Sequence, residues 1–134
     1  MPGQTDLQTV LDSMQIAFDE VAYGFAMVAE DARLPSKEIL ATFREDEGLT
    51  IIAPVAYLEK HSIKHEGRFA KLTVEVHTSL ELVGLTAALT TKLTKHGISA
   101  NVVAAYYHDH IFVPYNMREQ AIHALGELHG ENND

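Results

Sequence analysis

Eight histidines in 134 residues make the chain rich in imidazole. His108 and His110 flank Asp109. On a strand, positions i and i+2 share a face, so both rings could reach one zinc or nickel ion. His77, at the end of another strand, could lie close in space. Metal sites need three or four protein ligands, however. The chain has no cysteine, no His-Glu-x-x-His pair and no third ligand at helical spacing. The expectation is no metal and no cofactor, with His108 and His110 as the only candidate ligands. Ser79, His77 and Asp109 form a nucleophilic triad on paper, but a triad is defined by geometry and any histidine-rich chain offers such triples. No Gly-x-Ser-x-Gly, phosphate loop or Gly-x-Gly-x-x-Gly is present. The expectation is no catalytic residues and no enzyme.

Carboxylate recognition is the second chemistry on offer. A helix beginning near Leu82 would present free backbone N–H groups and the positive end of its dipole. Thr78 and Ser79 place hydroxyls just before it, able to cap the helix or to touch a ligand. Gly84 lets a ligand or a second strand approach the backbone. Asn101 interrupts an otherwise apolar strand. It lies either on a wet face or in the interior, where a polar ligand would satisfy it.

The elements that must position these residues follow from periodicity. Leu7, Leu11, Met14 and Phe18 predict a helix over 5–18, with Thr5 or Asp6 as cap. Val21, Tyr23, Phe25 and Met27 alternate with small residues and predict a strand. Residues 30–35 read as a turn. A second strand carries Ile39, Ala41 and Phe43, and Arg44 to Gly48 is a charged turn. Leu49 to Ala53 is a strand, and Pro54 starts a short helix. A polar stretch from His61 to Gly67 sets a boundary near residue 66. Beyond it, Leu72, Val74 and Val76 predict a strand with one wet face. Leu82, Leu85, Leu89 and Leu93 form a helical stripe stopped by Gly97. Residues 98–107 read as a strand, 108–110 as a tight turn and 111–113 as a strand. Met117, Ala121 and Leu128 mark a last helix. Residues 68–129 thus spell β-α-β-β-α, one strand short of the ferredoxin-like β-α-β-β-α-β unit.

The formal net charge of −9 disfavours nucleic acid and anionic membrane surfaces. Residues 1–66 hold 12 acidic against 5 basic residues, and 67–134 hold 7 against 5. No apolar run approaches the roughly 20 residues that span a bilayer, and the first residues lack the marks of a signal peptide, so a cytoplasmic location is expected.

The segment Val76-His77-Thr78-Ser79-Leu80-Glu81-Leu82-Val83-Gly84-Leu85-Thr86 resembles the first strand, loop and helix start of ACT domains. Gly97-Ile98-Ser99-Ala100-Asn101-Val102 resembles their turn into strand two. With Ala41 to Thr50 and Asn101 to Pro114, the chain is similar over about residues 5–128 to a bacterial family of small paired ACT-like proteins, formerly a domain of unknown function. That resemblance implies an α+β fold of two ferredoxin-like ACT domains, antiparallel sheets covered by helices. An N-terminal ACT-like domain would span 1–66 and a C-terminal ACT domain 67–134. It also implies a stand-alone regulatory or sensing protein that binds an amino acid or similar small ligand where ACT domains meet. Carried over, the ligand contacts are Thr78, Ser79, Leu80, Leu82, Val83 and Gly84, faced by Asn101 and Val102. Where ACT loops often carry Asp or Asn before Pro-Gly, this chain has Ser79 and Leu80. A homo-oligomer, a dimer or larger, is expected. The alternatives are an assembly module without ligand, or a minor metal-binding role at the His-Asp-His turn.

Overall fold

The computed structural model describes residues 7–35, 37–76 and 83–130. In chain order the elements are α1 Leu7–Ser13, β1 Gln15–Phe18, β2 Tyr23–Val28, β3 Ala41–Glu45, β4 Gly48–Pro54, α2 Val55–Lys60, β5 Glu66–Glu75, α3 Leu85–Lys95, β6 Asn101–Ala104, β7 Asp109–Pro114 and α4 Arg118–Gly126. A 3-10 turn, Tyr115–Met117, leads into α4. Two compact units emerge: residues 20–70, and residues 1–19 together with 71–134. Among the described residues, 7–19 thus group with the C-terminal half of the chain. The boundary falls within β5, so 66–70 count in one unit and 71–75 in the other.

In the unit 20–70 the strand order is β3-β4-β2-β5. β2 and β3 each pair antiparallel with β4, so they run parallel to each other with β4 between them. Their connection crosses over that strand, as parallel strands require. Residues 29–40 make the crossing without a helix among the described residues. Leu34 and Ile39 do a helix's work instead, packing on the core of Ala26, Ile51, Ala53, Tyr57 and Leu58. Tyr57 Oη donates to the Pro35 carbonyl at 2.6 Å, tying the crossing to α2. Pro54 closes β4 rather than opening α2. The helix starts at Val55, whose N–H donates to the Ala22 carbonyl at 2.8 Å.

The other unit supplies the strand that the C-terminal half lacks. The expected helix over 5–18 ends at Ser13, whose hydroxyl donates to the Val10 carbonyl at 3.0 Å. Residues 15–18 form β1 instead, antiparallel to β5 in the register Gln15–Glu75 to Phe18–Leu72. The order is β1-β5-β7-β6, with β1 as the fourth strand beside the first. Long-range pairing here overrides a helical period that is continuous only in sequence.

α3 buries Leu85, Leu89 and Leu93, as its stripe predicts. Its C-terminus is a Schellman turn, with Gly97 at φ 71°, the Ile98 N–H on the Leu93 carbonyl and the Gly97 N–H on the Thr94 carbonyl. Ile98 is buried beside it. α4 buries Ala121, Ala124 and Leu125. The β6–β7 hairpin is offset from the sequence reading. The strand stops at Ala104, which pairs with Asp109. The turn is residues 105–108, closed by the Ala105 N–H on the His108 carbonyl at 3.0 Å. Tyr106 and Tyr107, apolar enough to mimic a strand, stand at the tip at 80% and 81% exposure.

Candidate functional site

Asp109 and His110 are not in the turn but open β7, while His108 closes the turn. Antiparallel partners share a sheet face, so His110 lies on the face of Val103, and Asn101 on that of Phe112. His110 Nδ1 sits 2.9 Å from the Thr73 hydroxyl across from β5. Partial burial lowers its pKa from 6.5, and the charges of Lys71 and His108 push the same way against Asp109. The His108 and His110 rings are 6.4 Å apart, edge to face. Among the described residues no three His, Asp or Glu side chains gather as a metal site would require. His110 therefore acts here as a hydrogen-bonded imidazole held towards neutrality.

Of the residues expected to contact a ligand, Thr78, Ser79, Leu80 and Leu82 lie outside the described residues. Val83, Gly84, Asn101 and Val102 are placed. Gly84 caps α3 in the left-handed region, φ 98°, ψ −8°, and among the described residues no side chain caps the helix. The Gly84 carbonyl accepts the Ala88 N–H at 2.9 Å, so the helical ladder begins there. The N–H groups of the first turn remain directed outward, as at any helix start. Val83 beside it is 86% exposed. Asn101 is exposed at the head of β6 although it shares its face with the buried Phe112, and Val102 is half-buried. β6 is the edge strand, separated from β5 by β7. Two strand spacings, roughly 10 Å, thus separate β6 from β5. The structure puts Gly84 and Asn101 in one unit without direct contact between them.

Pattern reading missed a groove between α1 and α3, about 510 Å³ in volume. Leu7, Gln8 and Leu11 form one wall, Leu128 joins them, and Gly84, Ala87, Ala88, Thr91, Lys92 and Lys95 form the other. The second wall is a distinct stripe of α3, one step round from Leu85, Leu89 and Leu93. The available signal was the i, i+3, i+4, i+7 spacing of small residues from Gly84 to Thr91.

A ferredoxin-like unit with a glycine-opened helix after its first strand and a second strand at the sheet edge defines a class of small α+β domains. The ACT domain family matches over residues 2–70 and again over 64–127, and the chain belongs to that family. A crystal structure from Vibrio cholerae, of a protein of unknown function described as a possible transport protein, is 42% identical. Its TM-score is 0.83, and the match covers 96% of this chain and 99% of that one. An Agrobacterium tumefaciens protein is similar at TM-score 0.72 and 17% identity, over 87% of this chain and 89% of its own. The ligand-free regulatory subunit of aspartate kinase from Thermus thermophilus matches at TM-score 0.55 and 11% identity, over 84% and 95%. The last two likenesses concern the fold. No curated protein matches. Among the described residues no helix is long and apolar enough to cross a membrane.

Proposed function

We propose that this protein is a regulatory or sensing module that binds an amino acid or a similar small carboxylate, beside the start of α3 and the edge strand β6. Membership of a family of regulatory domains supports the regulatory role, and a regulatory subunit of aspartate kinase shares the fold. The observation that carries the placement is Gly84. Gly84 itself has no side chain to cap α3, and among the described residues no side chain does so, which leaves its first N–H groups and dipole to meet a carboxylate. Asn101, exposed on the edge strand, offers an amide for the ligand's polar groups. Thr78, Ser79, Leu80 and Leu82, which precede the helix in sequence, join the proposal.

We further propose that a second copy completes the site. Edge strands invite pairing, and among the described residues β6 ends the sheet with its outer side unpaired. The test is a thermal-shift panel of the twenty amino acids with light scattering. A ligand should raise Tm in wild type and much less in Asn101→Ala, by mass action. A shift identical in both proteins would remove Asn101 from the site.

An assembly module without ligand is the second reading. Phe43 on the edge strand β3 is 71% exposed and Met27 on β2 is 45% exposed. Both pair with Thr50, while Phe25 and Ala41 pair with Ile52 two residues along, so all four lie on one sheet face. A stable dimer with a flat ligand panel favours that reading.

A further inference from the structure

We propose that the groove between α1 and α3 is a separate binding site for a small amphipathic carboxylate, an unbranched aliphatic acid of medium length, with its tail against Leu7, Leu11, Ala88 and Leu128 and its charge at Lys95. The site is built entirely from residues 7–11, 84–95 and 128, on the helices rather than on the strand edge. Its volume of about 510 Å³ lies in the range of small-ligand sites.

The shape follows from α3. Leu85, Leu89 and Leu93 are buried, which turns Gly84, Ala87, Ala88 and Thr91 towards α1. None of those four has a side chain long enough to fill the space between two helices. A Cβ built on Gly84 would meet only Leu7 Cδ2, at 3.4 Å. From Gly84 to Lys95 the helix rises about 16 Å, so the groove is long and narrow. An extended chain matches that outline better than a compact ring.

The polarity runs along the same axis. The Gly84 end and the middle are lined by leucine, alanine and glycine, and the far end by Lys92 and Lys95. The Lys92 side chain is only 13% exposed, and its Nζ lies 3.8 Å from Glu127 Oε1. That same oxygen sits 3.0 Å from His96 Nε2, so Glu127 is shared between a lysine and a histidine. The Gln8 amide is held by Asp12 Oδ1 at 2.8 Å and the Leu128 carbonyl at 3.2 Å, which fixes one wall. Asp12 in turn accepts the Gly130 N–H at 2.6 Å. Glu127 offsets the charge of Lys92, so Lys95 supplies the cation that favours an anion at this end of the groove.

The experiment titrates the isotope-labelled full chain with octanoate below its micelle concentration and follows backbone amides. Saturable shifts should centre on Leu7, Ala87, Ala88 and Thr91, with Asn101 unmoved. Octylammonium, the same tail with opposite charge, should give none. The double variant Lys92→Gln, Lys95→Gln should weaken octanoate about tenfold. Ala88→Leu should abolish binding by filling the groove, while the spectrum stays dispersed and any amino-acid response at Asn101 persists. Should Ala88→Leu fail to fold, Lys95→Gln alone, at an exposed position, still has to weaken octanoate. Equal response to octylammonium, undiminished binding in the lysine variants, or shifts confined to Asn101 and its neighbours would overturn the proposal.

Discussion

Ile16 and Val74 face each other in antiparallel register, so a strand near the start of the chain completes the sheet of its C-terminal half. The pairing makes residues 15–18 structural for a unit from which they are remote in sequence. Ile16→Asp puts a charge into the half-buried side of that pair and should cost about 2 kcal/mol. Urea unfolding checks the cost. Hydrogen exchange should show lost protection at 72–75, with 48–54 unaffected. Unchanged exchange at 72–75 would mean that β1 contributes little.

Tyr57 holds the helix-free crossing at 29–40 through its hydroxyl on Pro35. Tyr57 is buried at 2% exposure, so Tyr57→Phe keeps the packing and removes only the hydrogen bond. The expected cost is about 1 kcal/mol. Exchange at Leu34, Ile39 and Leu40 should quicken more than at Ile51.

Gly84 tests backbone strain at the start of α3. Its φ of 98° suits glycine, and an added Cβ meets only ordinary contact with Leu7. Gly84→Ala should therefore cost about 1 kcal/mol through conformation rather than crowding. Thermal unfolding checks it, and trimming Leu7 to Ala should not restore the loss.

His110 makes stability depend on pH. The unfolded chain binds a proton there near pH 6.5, while the folded imidazole binds it only at lower pH because of burial, Lys71 and His108. As pH falls through 6.5 the unfolded state gains the proton first, and stability falls until the folded ring is protonated too. His110→Gln keeps a partner for Thr73 and should flatten the stability profile in that window. Glu127 and Asp12 act at lower pH. His96 chiefly holds the Glu127 carboxyl below its usual range, and the Gly130 N–H does so for Asp12, so their contribution is lost only on further acidification.

Local signals were legible in the sequence. The Leu85, Leu89, Leu93 stripe and the Gly97 stop need only neighbours within one helix, and both stand as read. The α+β ACT fold was legible through motif resemblance. β1 was not, because Leu7, Leu11, Met14 and Phe18 fit a helical period while the partner of Ile16 lies far along the chain. The hairpin tip misled for another reason: Tyr106 and Tyr107 are apolar by composition yet exposed. Of the candidate site, Gly84 adopts a positive φ that suits glycine, a conformation that its type alone permits but does not specify. The α1–α3 groove had no large-residue pattern, since small side chains make a cavity by what they omit.

The most direct measurement of the central claim is calorimetric titration of the full chain with individual amino acids, paired with light scattering. The account predicts that one chemical class binds saturably, that binding accompanies a dimer or larger assembly, and that Asn101→Ala weakens it while leaving the unliganded Tm unchanged. No heat of binding from any amino acid, with Tm unmoved across the whole series, would contradict it.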